Sequence, residues 1–115
     1  MTEDAKRIID DSIRAVLPDA AVYRALEGRR FDRPVTVIAI GKAAWRMANA
    51  AAKALGENLR EGIVITKYGH SEGDIPRMTI YEAAHPIPDE AGVAATRAAL
   101  ALADRMTAQD EGIFL

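Results

Sequence analysis

Lys42 directly follows Gly41, at the point where a short apolar run gives way to an alanine-rich stretch. The run, Val35–Ile40, is mostly β-branched, which predicts a strand buried on both faces of a parallel sheet. Gly41 lets the chain turn, and the following helix begins with unpaired backbone N–H groups beside Lys42. A lysine and a helix N-terminus together favour binding of an anion, such as a carboxylate or a phosphoryl group. The alternative is an ordinary solvated lysine.

His85 and Asp89 form a second candidate pair. They lie in residues 84–89, which two prolines make stiff. A histidine held in such a segment could orient a substrate hydroxyl or relay a proton, and Asp89 is a candidate substrate contact. The alternatives are that His85 bonds to a backbone carbonyl in a tight turn and that Asp89 only caps the next helix.

Lys67 and His70 form a third cluster, together with Tyr68, in a glycine-containing loop after a second predicted strand. Because the carboxyl ends of parallel strands share one edge of a sheet, these side chains are expected beside Lys42. His85 joins them only if the strand that precedes it also runs parallel to the first strand. The alternative for this loop is a flexible, solvated connection.

Neither a metal site nor a familiar nucleotide-binding signature is predicted. The chain has no cysteine, and its two histidines, His70 and His85, lack metal-ligand spacing. The Walker sequence Gly-x-x-x-x-Gly-Lys-Ser/Thr is absent, and so is the Gly-x-Gly-x-x-Gly dinucleotide fingerprint.

Length and charge restrict the class of protein. A chain of 115 residues is one domain at most. Its net charge of −2 and isoelectric point of about 5.7 provide no basic field for nucleic acid or an anionic membrane. The acidic start lacks the apolar segment of a signal peptide, and no apolar run approaches the ~20 residues of a membrane helix. We therefore expect a soluble, cytoplasmic protein whose partner is a small molecule.

Residues 2–66 are predicted to form a helical lead-in and a βαβ core. In the lead-in, residues 2–28, apolar residues at helical spacing indicate an amphipathic helix that Pro18 stops. Asp19 is expected to cap a second, short helix that Gly28 ends. In the core, residues 35–66, an alanine-rich helix connects the first strand to a second strand over residues 62–66.

Residues 78–106 are predicted to form a strand and a helix after a loop over residues 67–77. The strand, residues 78–82, has an alternating, edge-like pattern, and its direction stays open. The helix, residues 90–106, is expected to have Asp89 at its N-cap. Its buried stripe is predicted to be Val93, Leu100 and Ala103. Residues 112–115 look like the start of a further strand, which implies a sheet that continues in sequence outside this chain.

Three stretches of the sequence resemble the N-terminal part of the type II glycerate kinases. They are Ile40-Gly41-Lys42-Ala43-Ala44, Gly62-Ile63-Val64-Ile65-Thr66-Lys67-Tyr68-Gly69-His70 and Ala84-His85-Pro86-Ile87-Pro88-Asp89-Glu90-Ala91-Gly92. The resemblance runs in register from about Ile8 to the end of the chain. It implies an α/β fold of three layers, Rossmann-like, with a mostly parallel sheet. It also implies an active site in the cleft between this domain and a smaller C-terminal domain.

The same resemblance implies a reaction and a set of site residues. These enzymes phosphorylate D-glycerate at its 2-hydroxyl to 2-phosphoglycerate, with ATP and Mg²⁺. The lysine that matches Lys42 would contact glycerate or the transferring phosphoryl group, with Gly41 beside it. His85 and Asp89 would line the same substrate site. A homo-oligomer is compatible with the sequence.

This chain departs from the family pattern in its extent. Family members are several times longer and carry a Ser-Gly-Gly-Gly-Ser-Ala phosphate-binding loop after the strand that begins at Ile113. Neither that loop nor the second domain is present here. The chain is therefore expected to be a truncated, N-terminal fragment that does not turn over glycerate alone, with the ATP site and the metal ligands mostly outside it.

Two alternative functions stay open at this point. Family members are also labelled as hydroxypyruvate reductases, which would use NAD(P)H, but the absent dinucleotide fingerprint argues against this activity. The other alternative is a non-catalytic α/β module that self-associates through an unpaired sheet edge.

Overall fold

The computed structural model describes residues 2–115 and contains one parallel β-sheet packed between helices. The elements, in chain order, are α1 (Glu3–Ala15), α2 (Pro18–Leu26), β1 (Val35–Ile40), α3 (Ala44–Leu55), a 3₁₀ turn (Gly56–Asn58), β2 (Leu59–Lys67), β3 (Met78–Ala83), α4 (Glu90–Arg105) and β4 (Glu111–Phe114). Among these residues, no helix has the length and apolar content needed to cross a membrane.

The sheet has the strand order β3-β2-β1-β4, and every pair of neighbours is parallel. The α/β class with a parallel sheet is therefore confirmed. β1 lies between two strands, which explains its nearly all-apolar sequence: Val35, Val37 and Ala39 have no exposed surface, and Ile38 has almost none. Only Ile40, at the carboxyl end of β1, is exposed.

The two faces of the sheet are covered by different helices. Because side chains alternate along a strand, Val37 packs towards α3 while Ile38 packs towards α4. α2 lies against α3, with Val22 buried in the same cluster as Val37. α1 has no buried residue, and its apolar side chains Ile8, Ile9 and Ile13 are exposed.

The connection from β2 to β3 sets the direction of β3. It is too short for a helix and crosses the α3 face of the sheet as a loop. Ile75, 2% exposed, anchors this loop in a cluster with Ala39 and Val64. The indole N–H of Trp45 on α3 donates a 2.8 Å hydrogen bond to the carbonyl of Gly73. These contacts bring β3 back parallel to β2, at the edge of the sheet, which answers the question that the sequence left open.

The predicted buried stripe of α4 is wrong. Val93 is 48% exposed and Leu100 is 60% exposed, while Ala103 is only partly buried. The side chains that contact the sheet are Ala95, Ala99 and Leu102. Ala95 and Ala99 are small and allow α4 to approach β2 and β3 closely, so the face of α4 that carries them packs against the sheet.

Of three local predictions, the one for Asp19 is wrong, the one for Gly28 agrees with the structure, and the one for the start of β2 is off by three residues. Asp19 does not cap α2, because Pro18, whose fixed φ suits the first helical position, begins the helix one residue earlier. Gly28 follows the end of α2 with a φ of 73°, as predicted for its C′ position. β2 begins at Leu59, three residues before its predicted start, because residues 59–61 continue the pairing with β1.

Candidate functional site

A small crevice lies at the carboxyl ends of β1, β2 and β3. Its volume is about 100 Å³, and its lining is Ile40, Gly41, Lys42, Ile65, Thr66, Lys67, Ala83, Ala84 and His85. Lys42, Lys67 and His85 each follow or end a different strand, so the parallel topology brings them to one place. This is the position at which open α/β sheets bind ligands. We call it the carboxyl-edge crevice.

Lys42 occupies the tight connection between β1 and α3. Gly41 has a φ of 130°, a backbone conformation that side-chain-bearing residues rarely adopt, and its N–H donates a 2.9 Å hydrogen bond to the carbonyl of Ile65. α3 starts at Ala44 with no side-chain cap at Ala43. The first turn of α3 therefore has no side chain that competes with an anion for its N–H groups.

The backbone carbonyl of Lys42 accepts from two side chains. The hydroxyl of Thr66 donates to it at 3.4 Å, and Nδ1 of His70 approaches it at 3.2 Å. A carbonyl only accepts, so Nδ1 carries the proton. His70 therefore contacts the Lys42 turn with its ring, as well as lying in the loop after β2.

Thr66 is a contact that sequence reasoning missed. It is 2% exposed at the end of an otherwise apolar strand segment. The register pairs Ile65 with Ile40, so the next residue of β2 lies beside the Gly41 turn. The sequence does place a hydroxyl at the end of a buried strand, and a buried hydroxyl needs a hydrogen-bond partner, so a contact by Thr66 could have been expected.

Asp89 uses both carboxylate oxygens within the protein. Oδ1 accepts from the Gly92 N–H at 2.9 Å, which caps α4 as predicted, and from the Ala84 N–H at 3.3 Å. Oδ2 accepts a 2.7 Å hydrogen bond from the Tyr68 hydroxyl. The Tyr68 hydrogen bond, followed by the one from Gly92, lowers the pKa of Asp89, and the same Tyr68–Asp89 bond raises the pKa of Tyr68.

His85 lies directly after β3 and is exposed at the rim of the crevice. The peptide bond between His85 and Pro86 is cis. Asp89 lies four residues later, and its carboxylate accepts from the Ala84 N–H, just before His85, and from the Tyr68 hydroxyl. The structure thus brings Lys42, Lys67 and His85 to one crevice and gives Asp89 a structural set of contacts.

The described residues offer few ligands for Mg²⁺, and the carboxyl-edge crevice is small for a nucleotide. No group of three or more histidine, cysteine, aspartate or glutamate side chains within residues 2–115 could hold a metal ion. The carboxylate of Asp89 is already bonded to three donors. The crevice volume of about 100 Å³ is also well below the roughly 300–1,000 Å³ of pockets that hold larger ligands.

A larger groove of about 450 Å³ lies between α2 and β4, away from this crevice. Its walls are mostly apolar and include Val22, Leu26, Phe31 and Ile113. It contains none of the candidate site residues, so its size does not make it the site of the predicted chemistry.

Comparison with known proteins identifies the family. Residues 4–115 match the family described as a domain of unknown function, DUF4147. A D-glycerate 2-kinase of Thermotoga maritima is 50% identical over 111 residues, which are 96% of this chain and 26% of that protein. A glycerate 2-kinase of Pyrococcus horikoshii is 34% identical over 115 aligned residues, 90% of this chain and 26% of that protein.

Solved structures agree with the sequence comparison. A crystal structure of glycerate kinase from T. maritima superimposes with a TM-score of 0.89 and covers 96% of this chain and 26% of that one. A crystal structure of a P. horikoshii protein, 32% identical, gives a TM-score of 0.86 over 96% of this chain and 27% of that one. The chain thus spans about a quarter of the length of the relatives that it matches. The chain belongs to the DUF4147 family, and the two relatives above are named as glycerate 2-kinases.

Proposed function

We propose that this domain supplies the acceptor side of an ATP-dependent D-glycerate 2-kinase. In the overall reaction, the 2-hydroxyl oxygen of D-glycerate forms a bond to the γ-phosphorus of ATP. The bond from that phosphorus to the bridging oxygen breaks, ADP leaves and the hydroxyl proton is released. The names of the T. maritima and P. horikoshii relatives suggest this activity. The observation that carries it to this chain is the convergence of Lys42, Lys67 and His85 on the carboxyl-edge crevice.

The crevice is suited to a small, anionic acceptor. Two lysines line the crevice and provide positive charge, and its volume of about 100 Å³ accommodates a group of only a few heavy atoms. The start of α3 lies two residues after Lys42, which adds the positive end of a helix dipole nearby. We assign Lys42 to the carboxylate of glycerate or to the transferring phosphoryl group. Lys67 is a second cation beside it. Catalysis of this kind depends chiefly on positioning and on neutralisation of charge.

His85 and Asp89 take different roles in this proposal. His85, exposed at the rim, orients the acceptor hydroxyl and takes its proton. Asp89 acts as a positioning residue, because its oxygens hold the start of α4 and the Tyr68 loop. We expect ATP and Mg²⁺ to bind mostly outside this chain, since no group of histidine or acidic side chains within residues 2–115 could hold a metal ion and the crevice is small for a nucleotide.

Binding of D-glycerate to the chain tests the proposal. Two-dimensional amide NMR spectra recorded during titration with D-glycerate should show shifts confined to residues around Gly41, Lys67 and His85. D-Lactate, which has the same configuration at C2 and keeps the carboxylate and the 2-hydroxyl but lacks the 3-hydroxyl, serves as a matched ligand. Saturable shifts at the crevice support the proposal. Shifts spread over the surface without saturation, or shifts only at the groove between α2 and β4, contradict it.

A reductase is the first competing function. A protein of Agrobacterium vitis, provisionally labelled as a hydroxypyruvate reductase, is 39% identical over 92 residues, 78% of this chain and 20% of that protein. Titration with NADH in place of D-glycerate separates the two activities. Saturable NADH binding together with no response to D-glycerate favours the reductase.

A self-associating, non-catalytic module is the second competing function. The observation in its favour is the outer edge of β4, with which no other strand in the described part of the chain pairs. Size-exclusion chromatography over a range of concentrations measures self-association. A stable dimer that gives no response to D-glycerate favours the module over the kinase.

A further inference from the structure

The carbonyl oxygen of Lys42 is contacted by Thr66 at the end of β2 and by His70 in the loop that follows β2. We propose that Thr66 and His70 are positioning residues that hold the Lys42 peptide, and through it the Lys42 side chain, in the orientation that binds a small anion. This inference rests on the proposed role of Lys42 at the carboxyl-edge crevice. Its evidence is the pair of contacts to that carbonyl, 3.4 Å from Thr66 Oγ1 and 3.2 Å from His70 Nδ1.

The Lys42 peptide needs such support because Gly41 precedes it. The φ of 130° at Gly41 is open to glycine, and a Cβ built there would meet nothing within 4 Å. The turn is therefore not confined by packing on that side. Because side-chain packing does not confine Gly41, hydrogen bonds hold the turn: the Gly41 N–H donates to the Ile65 carbonyl at 2.9 Å, and the Ala44 N–H donates to the Gly41 carbonyl at 3.2 Å. Thr66 and His70 add the contacts to the next carbonyl, that of Lys42.

Thr66 provides the fixed half of this support. Its side chain is 2% exposed, and its backbone pairs with Glu82 of β3, next to the Ile65–Ile40 pair that joins β2 to β1. A buried hydroxyl keeps its partner because an unpaired one costs the full desolvation penalty. The position of the hydroxyl is thus determined by the sheet, which makes it a rigid reference for the turn.

His70 provides the second half, and three contacts place it. The N–H of His70 donates a 3.0 Å hydrogen bond to the Lys67 carbonyl, and Gly69 between them has a φ of 80°. Tyr68 then holds this turn from outside, by its N–H to the Ala83 carbonyl at 3.2 Å and by its hydroxyl to Asp89. The loop after β2 is therefore anchored on β3 and α4, and it directs the His70 ring back to β1.

The order of these residues also explains a feature of the sequence. Thr66, Lys67 and His70 all lie within five consecutive positions, yet they do different work. Lys67 lines the crevice directly, whereas the residues on either side of it contact the Lys42 backbone. Residues 66–70 thus supply one cation, Lys67, and hold a second cation, Lys42, beside it, which pre-organises the site.

A double-mutant cycle with D-glycerate as the probe tests the inference. Thr66→Val keeps the shape and removes the hydroxyl, and His70→Ala removes the ring. Each is expected to weaken D-glycerate binding roughly two- to tenfold, the range for loss of one hydrogen bond. Thr66→Ser and His70→Asn, which retain a donor near the same position, should restore most of the affinity.

The decisive comparison repeats both substitutions in a Lys42→Ala background. If Thr66 and His70 act through Lys42, neither substitution changes the remaining affinity further, and the cycle shows strong coupling. If they affect binding only through general stability, their effects add to that of Lys42→Ala, which overturns the inference. The ¹³C shift of the Lys42 carbonyl, which should move in both single variants, reports the loss of the hydrogen bonds separately from binding.

Different results would overturn the positioning role of Thr66 and His70 and the proposed binding of D-glycerate. Normal D-glycerate binding by Thr66→Val and His70→Ala, together with a large loss in Lys42→Ala, overturns the positioning role and leaves the proposed function intact. Absence of D-glycerate binding by the unmodified chain overturns both. Because His70 is exposed, His70→Ala should fold normally, so the positioning role can be tested even if Thr66→Val proves unstable.

Discussion

The hydroxyl of Tyr68 donates a 2.7 Å hydrogen bond to Oδ2 of Asp89, and this bond joins the loop after β2 to the first turn of α4. Oδ1 of the same carboxylate accepts from the backbone of Gly92 and Ala84. One side chain therefore fixes two of the loops that surround the carboxyl-edge crevice. Its ionisation state should be visible in the stability of the protein.

The Tyr68–Asp89 bond predicts a pH dependence of stability that acts at both ends of the scale. The folded-state pKa of Asp89 is lowered below 3.8, so its contribution is present above that value and is lost as the pH falls through the folded pKa. The folded-state pKa of Tyr68 is raised above 10.0, so its contribution is present below that value and is lost as the pH rises through the folded pKa.

Urea unfolding of a Tyr68→Phe variant measures this contribution. The difference in unfolding midpoint from the unmodified chain should be largest between about pH 5 and pH 9 and should shrink towards both extremes. Tyr23→Phe, a change at an exposed tyrosine of α2, serves as the control and should show no such profile. A Tyr68→Phe difference that is constant from acid to alkali would show that the bond is not formed in solution.

Gly62→Ala should destabilise the protein by about 1–3 kcal/mol, because the space for a methyl group is already filled. A Cβ at Gly62 would lie 2.8 Å from the carbonyl oxygen of Val37 and 3.1 Å from Cγ of Met78. The Val37 oxygen belongs to the central strand and cannot move aside.

Gly112→Ala is the matched control for Gly62→Ala. The Cβ at Gly112 would meet Cε of Met106 at 2.9 Å, which is the flexible end of a side chain and can turn away. Its effect should stay within about 0.5 kcal/mol. Thermal unfolding of both variants checks the pair, and equal effects would contradict the close approach of β1 and β2.

Leu102→Ala should cost about 2–5 kcal/mol, since it creates a cavity in the cluster between α4 and the sheet. Leu100→Ala, two residues away on the exposed side of the same helix, should change the unfolding free energy by less than about 0.5 kcal/mol. The two leucines make a matched pair of identical chemistry. A larger effect at Leu100 would mean that α4 packs through the face that the sequence pattern favoured.

The α4 prediction failed for a physical reason that the sequence does not reveal. Apolar residues occur on both sides of this helix, and periodicity alone selects the larger ones, Val93 and Leu100. The sheet instead takes the side where Ala95 and Ala99 permit close approach. Which apolar face packs depends on the partner surface, and that surface is set by residues distant in the chain.

The central strand and its turn were predictable because their signals are local. Val35–Ile40 is apolar except for Thr36, and Gly41 marks the turn, so the position of Lys42 follows from adjacent residues. The direction of β3 was not predictable, because it depends on Ile75 anchoring the preceding loop. The same limit applies to Thr66 and His70, whose shared partner lies more than twenty residues earlier.

We expect Lys42 to bind a small carboxylate at the carboxyl-edge crevice. The affinity of two lysine variants for D-glycerate measures this contact. Lys42→Ala should weaken binding roughly 10- to 100-fold, the range for loss of a charged hydrogen-bond partner. Lys53→Ala, an exposed lysine in the last turn of α3, should bind within about twofold of the unmodified chain. Equal affinities for all three proteins would contradict the account.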